Sequence, residues 1–554
     1  LPAKRVERHG NEYHIYFAYA PDEVARVKGL GARFARTPEP HWVLSANHVG
    51  SLLDLDGYVL PEGLADEAAA AEAGRGDLLV ASSALDTDEP IPGYEALYPF
   101  QRAGVAYARR VKRVLIGDGM GLGKTLQALA TIASEEAYPA VVICPALVKP
   151  NWVREILRWS PGRTVSVVNG GKKTAKVHRH DGGVAEVPVN DFDADIVVIN
   201  YDLLRKHEEA LLGRPWRAVV IDEAHYTKTA KAQRTKVVAK IAKLGSVEFV
   251  IALTGTPVLN RPIELASPLD ILGVLKPEFG GFWSFAKQFS AAYNNGWGWD
   301  FSGASNLDEL HRRLRETCYI RREKRDVLTE LPPKVRVSQE IPLADPKAYA
   351  AMLGATVAWL EEHRDGGQQG ETLAQITALR QEAARQKLPA MISWITETLG
   401  GTGEKLLVFA HHVEIQRALW EAFPGAARIF GDDSPQMRDS EVQRFQSDPE
   451  CRLMVASIGA GGVGVTLTAA SLVAFAELPW RPGDVDQAED RAYGRLNDPH
   501  PITVFNLLGN GTIDYTMAAL IDSKRSVVDQ VTSGEAGASG GGILEALVQS
   551  LLGN

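Results

Sequence analysis

Residues 114–131 constrain this chain more than any other stretch. An apolar strand from Val114 to Ile116 runs into a glycine-dense turn, and a helix is expected to start near Lys124. Gly119, Gly121 and Gly123 carry no Cβ, so consecutive backbone N–H groups can turn inward toward one anion. The positive end of the helix dipole points at the same spot. Lys124 then reaches the β- and γ-phosphates of a nucleotide, and the Thr125 hydroxyl is placed to ligate Mg²⁺. The pattern reads as a phosphate-binding loop. Its strict form has glycine five residues before Gly123, where this chain has Asp118. A glycine-rich turn in an unrelated α/β enzyme is the alternative.

The chain has 554 residues, enough for three or four domains of ordinary size. Its 45% hydrophobic content is that of a globular protein. No apolar run approaches the roughly 20 residues that span a bilayer, so no membrane association is expected. The opening residues, Leu1 to Arg5, do not read as a signal peptide. Cys144, Cys318 and Cys451 are too dispersed for a disulfide framework or a zinc cluster, which suits a reducing, cytoplasmic setting. A net charge of −9 neither advertises nor excludes a nucleic-acid partner, because phosphates are met by local patches.

Residues 11–60 read as a small module. It has a strand at His14 to Phe17, a short helix from Pro21, a turn carrying Arg33 and Arg36, a strand at Trp42 to Leu44, and a helical stretch from Val49 to Leu55. Residues 61–92 shift to Ala, Gly, Asp and Glu and read as a partly mobile linker. Gln101 lies just before the phosphate loop, and its amide can donate to and accept from adenine at once. Val141 to Cys144 and Ile196 to Ile199 are buried strands by their β-branched runs. Trp152 and Trp159 between them read as core. Lys172 and Lys173, with Lys176, His178, Arg179 and His180, form a basic loop that is either solvated or faces phosphate.

Val219 to Ile221 is a second buried strand that delivers Asp222 and Glu223 to its C-terminal end, where open α/β sheets bind ligands. One carboxylate is needed to hold Mg²⁺ and the other to orient and deprotonate an attacking water. Thr254 and Thr256 end another strand with hydroxyls suited to sensing the phosphate state. Arg321 and Arg322, in a basic stretch with Lys324 and Arg325, are either a solvated face or a phosphate-backbone track. A second α/β pattern starts near Leu406. Its glycine loop, Ser457 to Thr466, lacks Gly-Lys-Thr and should contact something other than a bound triphosphate. Residues 532–542 are a Gly, Ala and Ser linker, and Ile543, Leu547 and Leu551 line one face of a terminal helix expected to pack on the body.

In this order the motifs resemble the Swi/Snf-type DNA-dependent ATPases of helicase superfamily two, over about residues 95–525. That family has Asp at the position of Asp118. Residues 296–307, 321–328 and 407–412 are similar to stretches of its annealing-helicase, HepA-related (HARP) branch, and the 11–60 module more weakly resembles that branch's substrate-recognition domain. The resemblance implies an α/β fold of two RecA-like lobes with helical insertions and a small N-terminal α+β module. The expected layout is a recognition module at 1–60, a linker at 61–92, an ATP-binding lobe at 93–275, helical insertions and an inter-lobe region at 276–398, a second lobe at 399–525, and a tail with a short helix at 526–554.

Carried over residue by residue, Gln101 reads adenine, and Gly119, Gly121, Gly123, Lys124 and Thr125 hold phosphates and Mg²⁺, with Gly464 of the second glycine loop counted among the nucleotide contacts. Asp222 and Glu223 are the metal and water carboxylates. Thr254, Thr256, Ser457 and Thr466 couple DNA contact to nucleotide state, and Trp480 stands in the family's Trp-Asn-Pro position. Arg491 is an arginine finger. The second arginine of the pattern, Arg495, comes one residue late, after Gly494, and is read as a weaker second finger. The implied activity is ATP-driven translocation that remodels or reanneals branched or double-stranded DNA without regard to sequence. A chromatin or protein-displacing remodeller, and a DNA-binding scaffold with weak turnover, are the alternatives. A protein partner is not readable, and nucleoid association is implied if the source is bacterial or phage.

Overall fold

The computed structural model describes the chain apart from residues 1–3, 38, 171–172, 180–182, 256–260, 295, 297, 302, 328–333, 364–368, 462–464, 494–500, 534–542 and 553–554. Gly464, Arg495, Thr256 and Lys172 therefore lie outside the described residues, as do Gly494 to Asp498 and all of the 532–542 linker after residue 533.

The first lobe is built on seven strands, in the order Tyr319–Ile320, Arg113–Ile116, Phe249–Leu253, Ala218–Asp222, Ala140–Cys144, Ile196–Asn200 and Val165–Val167. Every neighbouring pair is parallel. Helices cover both faces of such a sheet, which is why its strands read as continuous apolar runs without alternation. One face packs on Leu129, Ile132, Trp152 and Ile156, the other on Trp216, Ile241, Leu269 and Phe285. The register sets Ile116, Asp222 and Leu253 level with one another, so the loops after these three strands emerge at one edge.

The second lobe has six strands, also all parallel: Val335–Ile341, Thr503–Gly509, Ala470–Phe475, Lys405–Ala410, Leu453–Ser457 and Ala427–Ile429. The architecture is thus two α/β lobes preceded by a small α+β unit, whose antiparallel strands Arg5–His9, Glu12–Tyr16, His41–Ser45 and Arg33–Ala35 form one sheet. The terminal helix Ile543–Leu551 packs on the second lobe, with Leu547 fully buried in its core.

Three expectations are corrected. Residues 61–92 are not a loose linker, because Leu64–Ala81 is a helix. The run Ala68 to Ala71 has the strongest intrinsic helix propensity, and Asp66 and Glu67 suit the positive end of the first turn. This helix buries Leu64 and Ala68 in the core of the N-terminal unit and packs Leu78 and Ala81 on the first lobe. Arg75 reaches Glu278, Arg315 Nε donates to Ser82 Oγ at 2.9 Å, and His48 Nε2 lies 2.6 Å from the Pro277 carbonyl oxygen, so the unit is docked. Second, the lobe boundaries move inward on residues 276–398. Tyr319–Ile320 completes the first sheet and Val335–Ile341 opens the second. Third, the basic loop near Lys173 is an antiparallel hairpin, Thr174–His178 with Val184–Pro188, that buries Val177 and Val187. Its apolar residues alternate, a signal masked by the cations between them.

Candidate nucleotide site between the lobes

The loop after Arg113–Ile116 leads into the helix Lys124–Ser134. Gly121 and Gly123 have φ of 80° and 76°, a left-handed conformation that costs glycine little. A Cβ on Gly123 would meet Gln101 Nε2 at 2.4 Å, so a larger residue there would displace the Gln101 amide and strain the backbone. Lys124 is half-buried, and its ammonium donates to the carbonyl oxygens of Asp118 at 2.7 Å and Gly119 at 3.2 Å. Burial pulls its pKa down, opposed by Glu223, Asp118 and Asp222.

Asp118 is what makes this loop differ from the strict motif, and it is fully buried. Its carboxylate accepts from the Arg322 backbone N–H and Nε, both at 3.0 Å, from Arg322 Nη2 at 2.5 Å, and from Gln127 Nε2 at 2.9 Å. Arg322 also donates to the Phe100 carbonyl oxygen. Arg322 is 4% exposed and braces the loop from behind, so its assignment to a DNA track is overturned. Arg321 is corrected likewise. Its side chain is 15% exposed and paired with Glu323, because the strand Tyr319–Ile320 draws the following residues into the first lobe. Gly119 leaves the predicted anion nest, since its N–H donates to the Arg322 carbonyl oxygen at 2.8 Å. Gln101 is 2% exposed, accepts from the Tyr98 N–H at 3.1 Å and donates to the Leu122 carbonyl oxygen at 3.0 Å. Its amide joins helix to loop rather than standing open toward a base.

Asp222 and Glu223 close the opposite wall. Glu223 has φ of 51°, a left-handed conformation uncommon outside glycine. Asp222 Oδ2 accepts from Trp152 Nε1 at 2.7 Å, and Oδ1 accepts from the Glu223 N–H at 3.0 Å. Tyr201 O–H donates to the Asp222 carbonyl oxygen at 2.7 Å. Burial, then the Glu223 charge, pushes the Asp222 carboxyl up to about 6. Burial also opposes ionisation of Glu223, yet His225, with Nδ1 3.3 Å from Oε2, together with Lys124 and Arg491, holds that carboxyl below its ordinary range. Two adjacent carboxyls pushed apart in this way suit different roles.

Arg491 comes from the second lobe, at the end of the helix Pro482–Ala492. It lines the same cleft of about 510 Å³ as Gln101, Gly121, Gly123, Lys124, Thr125, Asp222 and Glu223. The opposing charges that act on it, strongest first, are Glu223, Asp490 and Asp222. The lobes are also joined directly by Arg154 Nη2 and Asp439 Oδ1 at 2.8 Å. Sequence reasoning missed Trp152 as a functional side chain. Its position on an apolar helix face gave no sign that the indole N–H meets a carboxylate.

The remaining assigned residues lie elsewhere. Thr254 is buried, and its N–H bonds the Ile116 carbonyl oxygen at 3.1 Å, level with the phosphate loop. Ser457 is buried at the end of a second-lobe strand and Thr466 is half-buried beyond it. Trp480 is half-buried with the Arg380 guanidinium stacked 4.3 Å from its ring. Lys173 is exposed, on the run-in to the hairpin.

Two parallel α/β lobes with a phosphate loop on one and an arginine facing it from the other define a nucleotide-handling protein of the helicase type. The chain belongs to the SNF2-related family: the SNF2-related domain matches residues 100–388, and the helicase conserved C-terminal domain matches residues 386–496. It is 35% identical over 79% of its length to the DNA annealing helicase and endonuclease ZRANB3 of Mus musculus, of which 41% is covered. It is 34% identical, over 79% of its length and 44% of the relative, to the SWI/SNF-related matrix-associated actin-dependent regulator of chromatin subfamily A-like protein 1 of Xenopus laevis. The chain thus spans about two fifths of the length of these curated relatives. The Sulfolobus solfataricus SWI2/SNF2 ATPase core in complex with dsDNA is similar at 26% identity and a TM-score of 0.36, covering 79% of this chain and 93% of that one. Among the described residues, no helix is long and apolar enough to cross a membrane.

Proposed function

We propose that this protein is an ATP-driven DNA translocase that remodels or reanneals branched DNA. The observation that carries the reading is Arg491 of one lobe facing Lys124, Asp222 and Glu223 of the other across a single cleft. The relatives named as DNA annealing helicases support the substrate class.

In this reading Gly121, Gly123 and Lys124 cradle the β- and γ-phosphates of ATP with backbone N–H groups and one ammonium. The half-buried Asp222 carboxylate and the Thr125 hydroxyl in the first helical turn form a donor set that fits Mg²⁺. Bound there, Mg²⁺ would neutralise charge on the phosphate oxygens. Glu223 orients the attacking water and takes its proton. Arg491 stabilises the charge that develops on the transferred phosphoryl group, and approach of the lobes excludes water around it. Thr254 and Ser457 at strand ends, and Thr466 on the segment before the next strand, pass nucleotide state toward DNA. Lys173 meets backbone phosphates, which carry no direct sequence information.

ATP turnover measured with forked DNA, plain duplex, single strands and RNA tests this. The translocase reading expects stimulation by DNA and greatest stimulation by forks. Binding of ATP and DNA without turnover would favour a scaffold, and stimulation by RNA alone would remove DNA as the substrate.

A further inference from the structure

Arg321 and Arg322 are drawn into the first lobe, and the next cation, Lys324, has its own geometry. The segment from Arg321 to Lys324 lies along the phosphate loop. The Gly119 N–H bonds the Arg322 carbonyl oxygen, and Asp118 grips Arg322 through backbone and guanidinium together. A Cβ on Gly119 would lie 3.5 Å from the Lys324 nitrogen, and one on Gly121 would lie 3.4 Å from Lys324 Cε and Nζ. The Lys324 side chain therefore rests against the loop that holds phosphate.

The same ammonium reaches the second lobe. Lys324 Nζ is 3.5 Å from Asp490 Oδ1, and both side chains are largely buried, at 13% and 15% exposure. Asp490 precedes Arg491 on one helix. It is also held by Lys334 of the second lobe, at 2.6 Å. Both ammonium groups also approach the ring of Tyr493, Lys324 at 4.6 Å and Lys334 at 4.8 Å from its centre. Glu489, fully buried, is forked by Arg336 at 2.9 and 2.7 Å and lies 3.3 Å from Lys334. On the second-lobe side the helix turn before Arg491 is therefore tied down twice. Lys324 ties that turn to the first lobe.

We propose that Lys324 is a positioning residue, which through Asp490 sets Arg491 against the phosphates held by the loop. Successive helix residues point about 100° apart, so a fixed Asp490 dictates the direction in which Arg491 leaves the helix. The ion pair is largely buried, where a charge left without its partner is costly, so the pair holds one geometry. The proposal rests on Arg491 acting as the finger.

The test compares Lys324→Met, Lys324→Arg, Asp490→Asn and Arg491→Ala in the full chain, each checked for thermal unfolding. Fluorescent ATP binding is read separately from DNA-stimulated kcat. Lys324→Met should lower kcat at least about tenfold, part of the roughly 10³-fold an arginine finger supplies, while nucleotide affinity holds. Lys324→Arg should restore most of the loss. Asp490→Asn should match Lys324→Met, and the double variant should lose little more than either alone. Unchanged kcat in Lys324→Met, beside lost turnover in Arg491→Ala, would overturn the positioning role and leave the finger standing. Affinity falling in step with kcat would overturn it too, making Lys324 a direct phosphate ligand. Turnover surviving in Arg491→Ala would sink the finger reading itself.

Discussion

The indole N–H of Trp152 donates to Oδ2 of Asp222 at 2.7 Å, from the helix Lys149–Trp159 to the end of the strand Ala218–Asp222 in the same lobe. The bond fixes the carboxylate's rotation and leaves the other oxygen on the Glu223 N–H. Trp152→Phe keeps an aromatic plug and removes the donor. It should weaken Mg²⁺ activation about 10- to 100-fold, the usual cost of losing a group that orients a metal ligand. Titration of ATP turnover with Mg²⁺ measures this, and an unchanged midpoint would leave Trp152 with a packing role alone.

Glu223→Gln should bind ATP and stop hydrolysing it, because an amide cannot take the proton of water. Lys124→Ala should lose nucleotide binding or turnover outright. Rapid-quench measurement of bound ATP separates the two. Turnover in Glu223→Gln within about tenfold of the parent would remove that side chain from the role of base, since general bases supply about 10²- to 10⁴-fold.

Removing Arg322 should cost stability rather than DNA affinity. Arg322→Met leaves the Asp118 carboxylate buried without its partner, a change worth about 3–5 kcal/mol in buried pairs. Chemical denaturation should show that loss, and salt titration of DNA binding should show an unchanged slope. Neutralising the exposed Lys173 should do the reverse, lowering the salt slope by about one unit with stability unaffected.

The N-terminal unit should matter for branched DNA more than for hydrolysis itself. Its helix Leu64–Ala81 belongs to its core, so the informative deletion ends after that helix, not at residue 60. Loss of residues 1–83 should lower apparent fork affinity about 10²-fold, the low end of the gain from linking two binding modules. Duplex-stimulated turnover should change much less. Equal losses on both substrates would make the unit a structural brace.

The phosphate loop, the Asp222–Glu223 wall and the paired parallel sheets were legible because each is a local pattern. A buried strand, a glycine turn and a helix start all show in adjacent residues. What was not legible depends on partners far apart in the chain. Arg322 looked like a surface cation because nothing near it in sequence shows that Asp118 waits beneath it, 204 positions away. Trp152 was read as core, which its burial matches, but the single polar atom on its ring faces Asp222. The helix at 64–81 hid behind two glycines and a composition that also suits linkers. Its burial is decided by the first lobe and the N-terminal unit together, and neither is visible from the segment itself.

Trp152 and Arg154 stand two residues apart on one helix, about 200° around its axis. The first holds Asp222 and the second holds Asp439 of the other lobe. The helix is therefore a rigid axle with a tooth on each side. Separation of the lobes must either pull that axle or strip the tooth at Asp439. Whatever turns the axle also moves the indole that steadies Asp222, so on the proposed reading spreading of the lobes and release of spent nucleotide share one moving part.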